Sequence, residues 1–298
     1  MQLLIGNRRY SSWSLRGHLL AELTGAPFDV RQAMLETPEF EALRAEQAPA
    51  RTVPMMRFSE QDPGGAGFCW DSLAIAEELA DRFPSAPIWP EAPAARAAAR
   101  SLAAEMHAGF HALRGDCPMN LGRVYAGFAP SQAVRDDLAR IEALWAWARE
   151  TFGGEGPYLF GAAPCAADAM FAPVASRLAT YGLPRSAAAQ AYMETIFAWS
   201  AFRRWRAMAD AETARLADSE QDLPEGPRFG PVPRPARAVA EAEGREAVNA
   251  VCPYSGRPVA ANSLAEIDGR VIGFCNPFCR DKSVADADAW PKLAPLLP

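Results

Sequence analysis

The first 84 residues alternate short apolar runs with helical stretches, and the order of that alternation restricts the fold more than any other feature of the chain. Gln2 to Gly6 reads as a short buried strand. Trp13 to Leu23 reads as a helix stopped by Gly25, and Phe28-Asp29-Val30 as a second short strand. Pro38 to Glu46 is polar and weakly helical. Val53 to Phe58 and Phe68 to Trp70 are strand candidates flanking the turn Asp62-Pro63-Gly64-Gly65. Ser72 is placed to cap a clear amphipathic helix, Leu73 to Arg82, which Pro84 ends.

A βαβ unit followed by ββα is the order of a thioredoxin-like α/β domain, expected here over residues 1–84. Pro87, Pro90 and Pro93 mark a linker. Helical periodicity then dominates: Ala94 to Leu113, Ser131 to Phe152, Ala166 to Thr180 and Ala187 to Trp199 predict an all-α domain over 94–217. Leu138, Ile141, Leu144, Trp145 and Ala148 share one helix face. Pro224, Pro227, Pro231, Pro233 and Pro235 fall within twelve residues with charges between them, so 218–247 reads as a mobile tether. From residue 248 to 298, Phe, Ile, Val and clustered cysteines return, which predicts a small third module.

Composition excludes several classes. A net charge of −6 argues against a general nucleic-acid binder, which would carry a basic face. No stretch is apolar over the roughly 18–20 residues of a membrane helix. The start of the chain has no cationic segment followed by a long apolar run, and the six cysteines are scattered, so a reducing cytoplasm is the expected location.

Three pieces of the first domain belong together: Tyr10-Ser11-Ser12-Trp13-Ser14-Leu15-Arg16, Thr52-Val53-Pro54 and Trp70-Asp71-Ser72. In this order, before a helical half, they resemble the glutathione site of the glutathione transferase family. The resemblance covers about residues 1–215 and is to the theta- and zeta-like members, which use serine. Their working serine stands four residues before an arginine of the first helix, as Ser12 stands before Arg16; Ser11 is the neighbouring candidate, because zeta-like members carry a Ser-Ser pair. Trp13 departs from the Cys or Gln of those relatives. The resemblance implies a cis bond at Val53-Pro54, with Val53 beside the cysteinyl part of the peptide, and a grip on its γ-glutamyl end by Asp71 and Ser72.

The chemistry asked of such a site is simple. A free thiol ionises at a pKa of about 8.5. A hydroxyl donor facing the thiolate contributes about 1.5–3 kcal/mol, or roughly 1–2 pKa units. A helix N-terminus adds a smaller favourable field. Ser11 and Ser12 lie where the first strand gives way to the first helix, so both effects can act at one place.

The second-substrate pocket is expected from Met106, His107, Phe110 and Arg114, spaced as on one helical face, with Arg177 and Tyr181 as weaker candidates. Pro164-Cys165-Ala166-Ala167-Asp168 resembles the family's helix-capping box, with Cys165 in place of a hydroxyl residue, and reads as structural.

In the tail, Cys252-Pro253-Tyr254-Ser255-Gly256, Asp268-Gly269-Arg270 and Phe274-Cys275-Asn276-Pro277-Phe278-Cys279 resemble the small metal-binding modules called TRASH or YHS, of zinc-ribbon-like or treble-clef-like build. Cys252, Cys275 and Cys279 suit a soft metal such as zinc. Ser255 occupies the place of a second knuckle cysteine, so only three thiolates are present.

The resemblances together imply a homodimeric transferase that presents glutathione as co-substrate to a small electrophile. The alternatives are a glutathione-dependent isomerase of the maleylacetoacetate type, or a non-catalytic scaffold whose tail binds a metal or a partner.

Overall fold

A computed structural model describes residues 1–298. Its first sheet has strand order β2-β1-β3-β4, built from β1 (Gln2–Ile5), β2 (Asp29–Gln32), β3 (Met55–Phe58) and β4 (Gly67–Trp70). β1 runs parallel to β2, pairing Leu3 with Val30, and antiparallel to β3, pairing Leu3 with Met56. β3 and β4 form the expected hairpin. Helix α1 (Ser12–Leu23) makes the parallel crossover, α2 (Pro38–Glu46) follows β2, and α3 (Ser72–Arg82) closes the domain. This is the thioredoxin-like order.

Local chemistry sets the helix ends. The Ser11 side chain accepts from Ser14 N at the start of α1, and Gly25 takes φ +67 just past its end. Thr37 caps α2 ahead of Pro38. At α3 the cap is Asp71, whose side chain accepts from Leu73 N, and Ser72 is already the first helical residue. The sequence expectation that Ser72 caps α3 is therefore one residue off.

The helical part comprises α4 (Pro93–Ala108), α5 (His111–Asp116), α6 (Gln132–Ala148), α7 (Ala166–Thr180) and α8 (Ala187–Ala198). Every residue of α7 is buried, which makes it the central helix of this core. Asp168 holds its start, accepting from the backbone N–H groups of Cys165 and Leu159 and from the Tyr192 hydroxyl. One expected helix is broken. Phe110 adopts a left-handed conformation (φ +57) and splits the stretch from Ala94 to Leu113 into α4 and α5. The last turns expected of α6 are a π-helical turn, Arg149–Gly153.

The chain divides into two compact units. One contains Met1–Phe197 and Ala214–Phe229; the other contains Ala198–Thr213 and Gly230–Pro298. Within the first unit, the early part of the Pro-rich stretch is fastened. Glu220 accepts from the hydroxyls of Tyr10 (2.5 Å) and Tyr125 (3.3 Å), and Gly226 N donates to Val124 O. Hydroxyl–carboxylate and backbone hydrogen bonds thus order a segment whose prolines alone suggest a bare tether.

The second unit holds α9 (Ser200–Asp210) and a three-stranded antiparallel sheet, β5 (Ala236–Val239), β6 (Leu264–Ile267) and β7 (Arg270–Gly273), followed by α10 (Pro277–Ala285). Its core gathers Cys252, Ile267, Ile272, Phe274, Trp290 and Leu293, together with Ala207 of α9. Arg203 of α9 donates through Nε and Nη2 to the two carboxylate oxygens of Asp286. β5 falls inside the stretch expected as linker. No helix is long and apolar enough to cross a membrane.

Candidate glutathione site

The site begins at the N-terminus of α1. Its two serines are held differently. Ser11 is committed within the fold: its oxygen accepts from Ser14 N (3.2 Å), and its hydroxyl donates to Ser14 Oγ (2.8 Å). Ser14 Oγ accepts in turn from Gly6 N, which ties the helix start to the end of β1. Ser12, one residue on, accepts at 3.4 Å from Arg177 Nη2, a residue of α7. That contact leaves the Ser12 hydrogen to be given to a ligand.

The turn before β3 approaches the same helix. The Val53–Pro54 bond is cis. Gly17 lets the two backbones meet: a Cβ at position 17 would stand 2.6 Å from Pro54 Cβ. Val53 is buried here.

At α3, Asp71 combines three properties. Its φ is +76, a region costly for a residue with a Cβ, and strain of this kind of roughly 1–3 kcal/mol is retained mainly at functional positions. Its Oδ1 is used as the cap of α3, and its Oδ2 stands 3.4 Å from His107 Nε2. Ser72 is fully buried, and its hydroxyl finds no partner in the chain. A buried hydroxyl without a partner costs on the order of 1–3 kcal/mol, so a bound group that meets it gains that amount back.

The helical part adds cations. Arg16 of α1 is almost wholly buried, and its Nε and Nη1 have no hydrogen-bond partner. Its guanidinium carbon lies 4.5 Å from the centroid of the Trp13 ring, that of Arg114 lies 5.0 Å from the same centroid, and the His107 ring meets Trp13 edge-on at 5.1 Å. Arg114 is fixed by the carbonyls of His107 and Gly109, both at 3.1 Å. Arg177 is fixed by the carbonyls of Arg114 and Cys117. Burial first, then the nearby Arg114 and Arg177, lowers the Arg16 pKa to about 9, with Asp71 opposing. Burial also lowers Arg177 to about 10 and lowers Arg114. Three guanidiniums that disfavour one another in a buried place form a strong anion receptor.

The residues named from sequence fall into two groups. Ser12, Arg16, Asp71, His107 and Arg114 come together with Arg177 and Trp13. Met106 and Phe110 are buried core residues, and the break between α4 and α5 removes the single helical face on which all four pocket residues were expected. Tyr181 is buried and donates to Pro118 O. Sequence reasoning missed the role of Trp13 as a platform for two arginines, and missed the reach of Arg177 to Ser12.

Residues 10–82 match the glutathione S-transferase N-terminal domain. The matched stretch includes Ser11, Ser12, Arg16, Val53, Pro54, Asp71 and Ser72. Solved structures agree in fold. A glutathione transferase homologue from Burkholderia gl BGR1 with bound glutathione is 23% identical, covers 71% of this chain and 98% of its own, and has a TM-score of 0.52. A maleyl pyruvate isomerase, a bacterial glutathione S-transferase of the zeta class, is 22% identical over 69% of this chain and 96% of its own, also at 0.52. A tau-class glutathione S-transferase from mango, Mangifera indica, is 16% identical over 69% of this chain and 91% of its own, again at 0.52. No curated protein sequence matches the chain. The thioredoxin-like sheet with its helical partner is thus of glutathione transferase architecture.

Proposed function

We propose that this chain binds glutathione and presents its thiolate to a small anionic electrophile. The observation that carries the reading is Ser12. It stands at the N-terminus of α1, inside the stretch matched by the transferase domain, with its oxygen held by Arg177 and its hydrogen left to give.

The residues fit the ligand. Asp71 carries a negative charge toward the γ-glutamyl ammonium. The buried hydroxyl of Ser72 and the backbone at the start of α3 receive the adjoining carboxylate. Val53, ahead of the cis bond, offers its backbone edge to the cysteinyl part. Ser12 donates to the sulfur and favours its ionised form, aided by the helix terminus. The thiolate then attacks the electrophile, whose negative charge Arg16, Arg114 and Arg177 hold in place. The homodimer implied by the family resemblance accompanies this reading: light scattering should give twice the 32.2 kDa chain mass, and a monomer mass alone would count against it.

The three arginines also favour the isomerase reading, since a dicarboxylate electrophile matches them in charge. In that reaction the thiolate adds to one carbon of the cis double bond and the electron pair moves to the conjugated carbonyl as an enolate; the former double bond, now single, rotates, and the enolate re-forms it in the trans geometry as the same thiolate leaves. Incubation with glutathione and a cis-dienone diacid separates the readings. A trans diacid with glutathione regenerated means isomerase, and a stable thioether means transferase. Binding of glutathione with neither product, across a panel of electrophiles, means a scaffold.

A further inference from the structure

The second unit carries three thiols that the glutathione reading does not use. Cys252, Cys275 and Cys279 place their sulfurs within 4.8 Å of one another, and all three are free. They come from separate pieces of the fold. Cys252 opens a turn that Gly256 N closes by donating to Cys252 O. Cys275 follows β7, and Cys279 lies in the first turn of α10. Asn276 stands between these two and caps α10, its Oδ1 accepting from Cys279 N. Access divides the three thiols. Cys252 is fully buried in the core of the unit, whereas Cys275 and Cys279 are half-buried and pack against that core. Cys275 Sγ is held by two donors, Ser255 Oγ at 3.3 Å and Asn276 Nδ2 at 3.4 Å.

Thiols placed this closely can do more than pack. A disulfide joins sulfurs about 2 Å apart, so any two of these need approach by at most about 3 Å, within the swing of a side chain. A thiol that meets a disulfide exchanges with it through a mixed disulfide. A second thiol held beside the first then attacks intramolecularly, at an effective concentration that no free thiol reaches. Only Cys275 and Cys279 are open to an incoming molecule, because Cys252 is closed to solvent.

We propose that Cys275 and Cys279 are a dithiol that exchanges with low-molecular-weight disulfides, glutathione disulfide among them, and closes to a Cys275–Cys279 disulfide while Cys252 stays reduced. In the first step the Cys275 sulfur bonds to one sulfur of the incoming disulfide. The S–S bond of that disulfide breaks, and the departing sulfur leaves as a thiol with the proton given up by Cys275. In the second step the Cys279 sulfur bonds to the Cys275 sulfur, and the remaining small thiol leaves with the proton of Cys279. Two cysteines are oxidised, and one small disulfide is reduced to two thiols. The exchange uses residues of the second unit alone, so it stands or falls separately from the glutathione site of the first.

The test uses the full chain, reduced, freed of reductant and incubated with glutathione disulfide. The intact mass should fall by two hydrogens, and peptide mapping should place the new bond between Cys275 and Cys279. Across a range of glutathione redox buffers, the oxidised fraction should follow the square of the thiol concentration divided by the disulfide concentration, as a closed pair requires. Cys279→Ser should stop at one glutathionyl group on Cys275, and Cys252→Ser should still close the pair. Thiols that stay reduced, a fraction that follows the first power of the thiol concentration, or a bond mapped to Cys252 would overturn the proposal. So would a pair that closes only after a chelator is added, since the thiols would then be committed to a metal.

Discussion

At the residue scale, the pair Ser11-Ser12 divides into two jobs that substitution separates. Ser11 caps α1, so Ser11→Ala should cost about 1 kcal/mol of stability, read by denaturant unfolding. Ser12→Ala should leave stability nearly unchanged and raise the pKa of bound glutathione by roughly 1–2 units, read from the pH dependence of thiolate absorbance. An unaltered thiol pKa in Ser12→Ala would move the role elsewhere. His107 offers a second reading of the same place. Burial, then Arg16 and Arg114, push its pKa below the usual imidazole value, and Asp71 pulls the other way. Removing that anion by Asp71→Asn should lower the His107 pKa further, as measured by NMR titration. The sign for folding follows. The unfolded chain takes up this proton at a higher pH than the folded one, so His107 costs stability as pH falls through the ordinary imidazole range. A His107 pKa at or above that range would contradict the geometry. Ser12, Arg16 and Asp71 were legible because each lies in a local motif. Arg177 was only weakly legible, because its reach to Ser12 spans 165 residues of sequence and depends on how α7 packs.

At the element scale, α1 is the part on which the site depends. It carries Ser12, Trp13 and Arg16, and it rests on the cis turn through Gly17. Gly17→Ala sets two effects against each other. A helix interior gains about 1 kcal/mol from alanine over glycine. A Cβ 2.6 Å from Pro54 Cβ is overpacking against a rigid ring, which costs about 1–3 kcal/mol. The steric term wins because Pro54 cannot rotate away. Thermal unfolding should show a lower Tm, with weakened glutathione binding if the turn shifts. A raised Tm would mean that the contact is loose. Strand and helix order was readable from periodicity, and Gly25 and Pro38 marked helix ends by their chemistry. The break at Phe110 had one sequence signal, Gly109, which is the C-cap of α4, but a glycine inside an otherwise helical run does not by itself show that the next residue turns left-handed. Packing decides it, and Phe110 is buried.

At the scale of the whole molecule, the chain is two compact units whose sequence ranges interleave. The expected tether is in part a strap of the first unit, joined to Tyr10 and Tyr125 through Glu220. In part it is an edge strand of the second unit, β5. Composition pointed to mobility because prolines and charges cannot form a core, yet hydroxyl–carboxylate bonds and sheet pairing need no core of their own. Helix α9 belongs with the tail for a reason equally invisible in sequence: the partner of Arg203 is Asp286, far along the chain. The central claim is that the first unit holds glutathione between the start of α1, the cis turn and the start of α3. Titration calorimetry of the full chain with reduced glutathione tests it most directly. Saturable binding at one site per chain, weakened in Asp71→Ala, is the expected result, and no detectable binding at millimolar glutathione would contradict the claim.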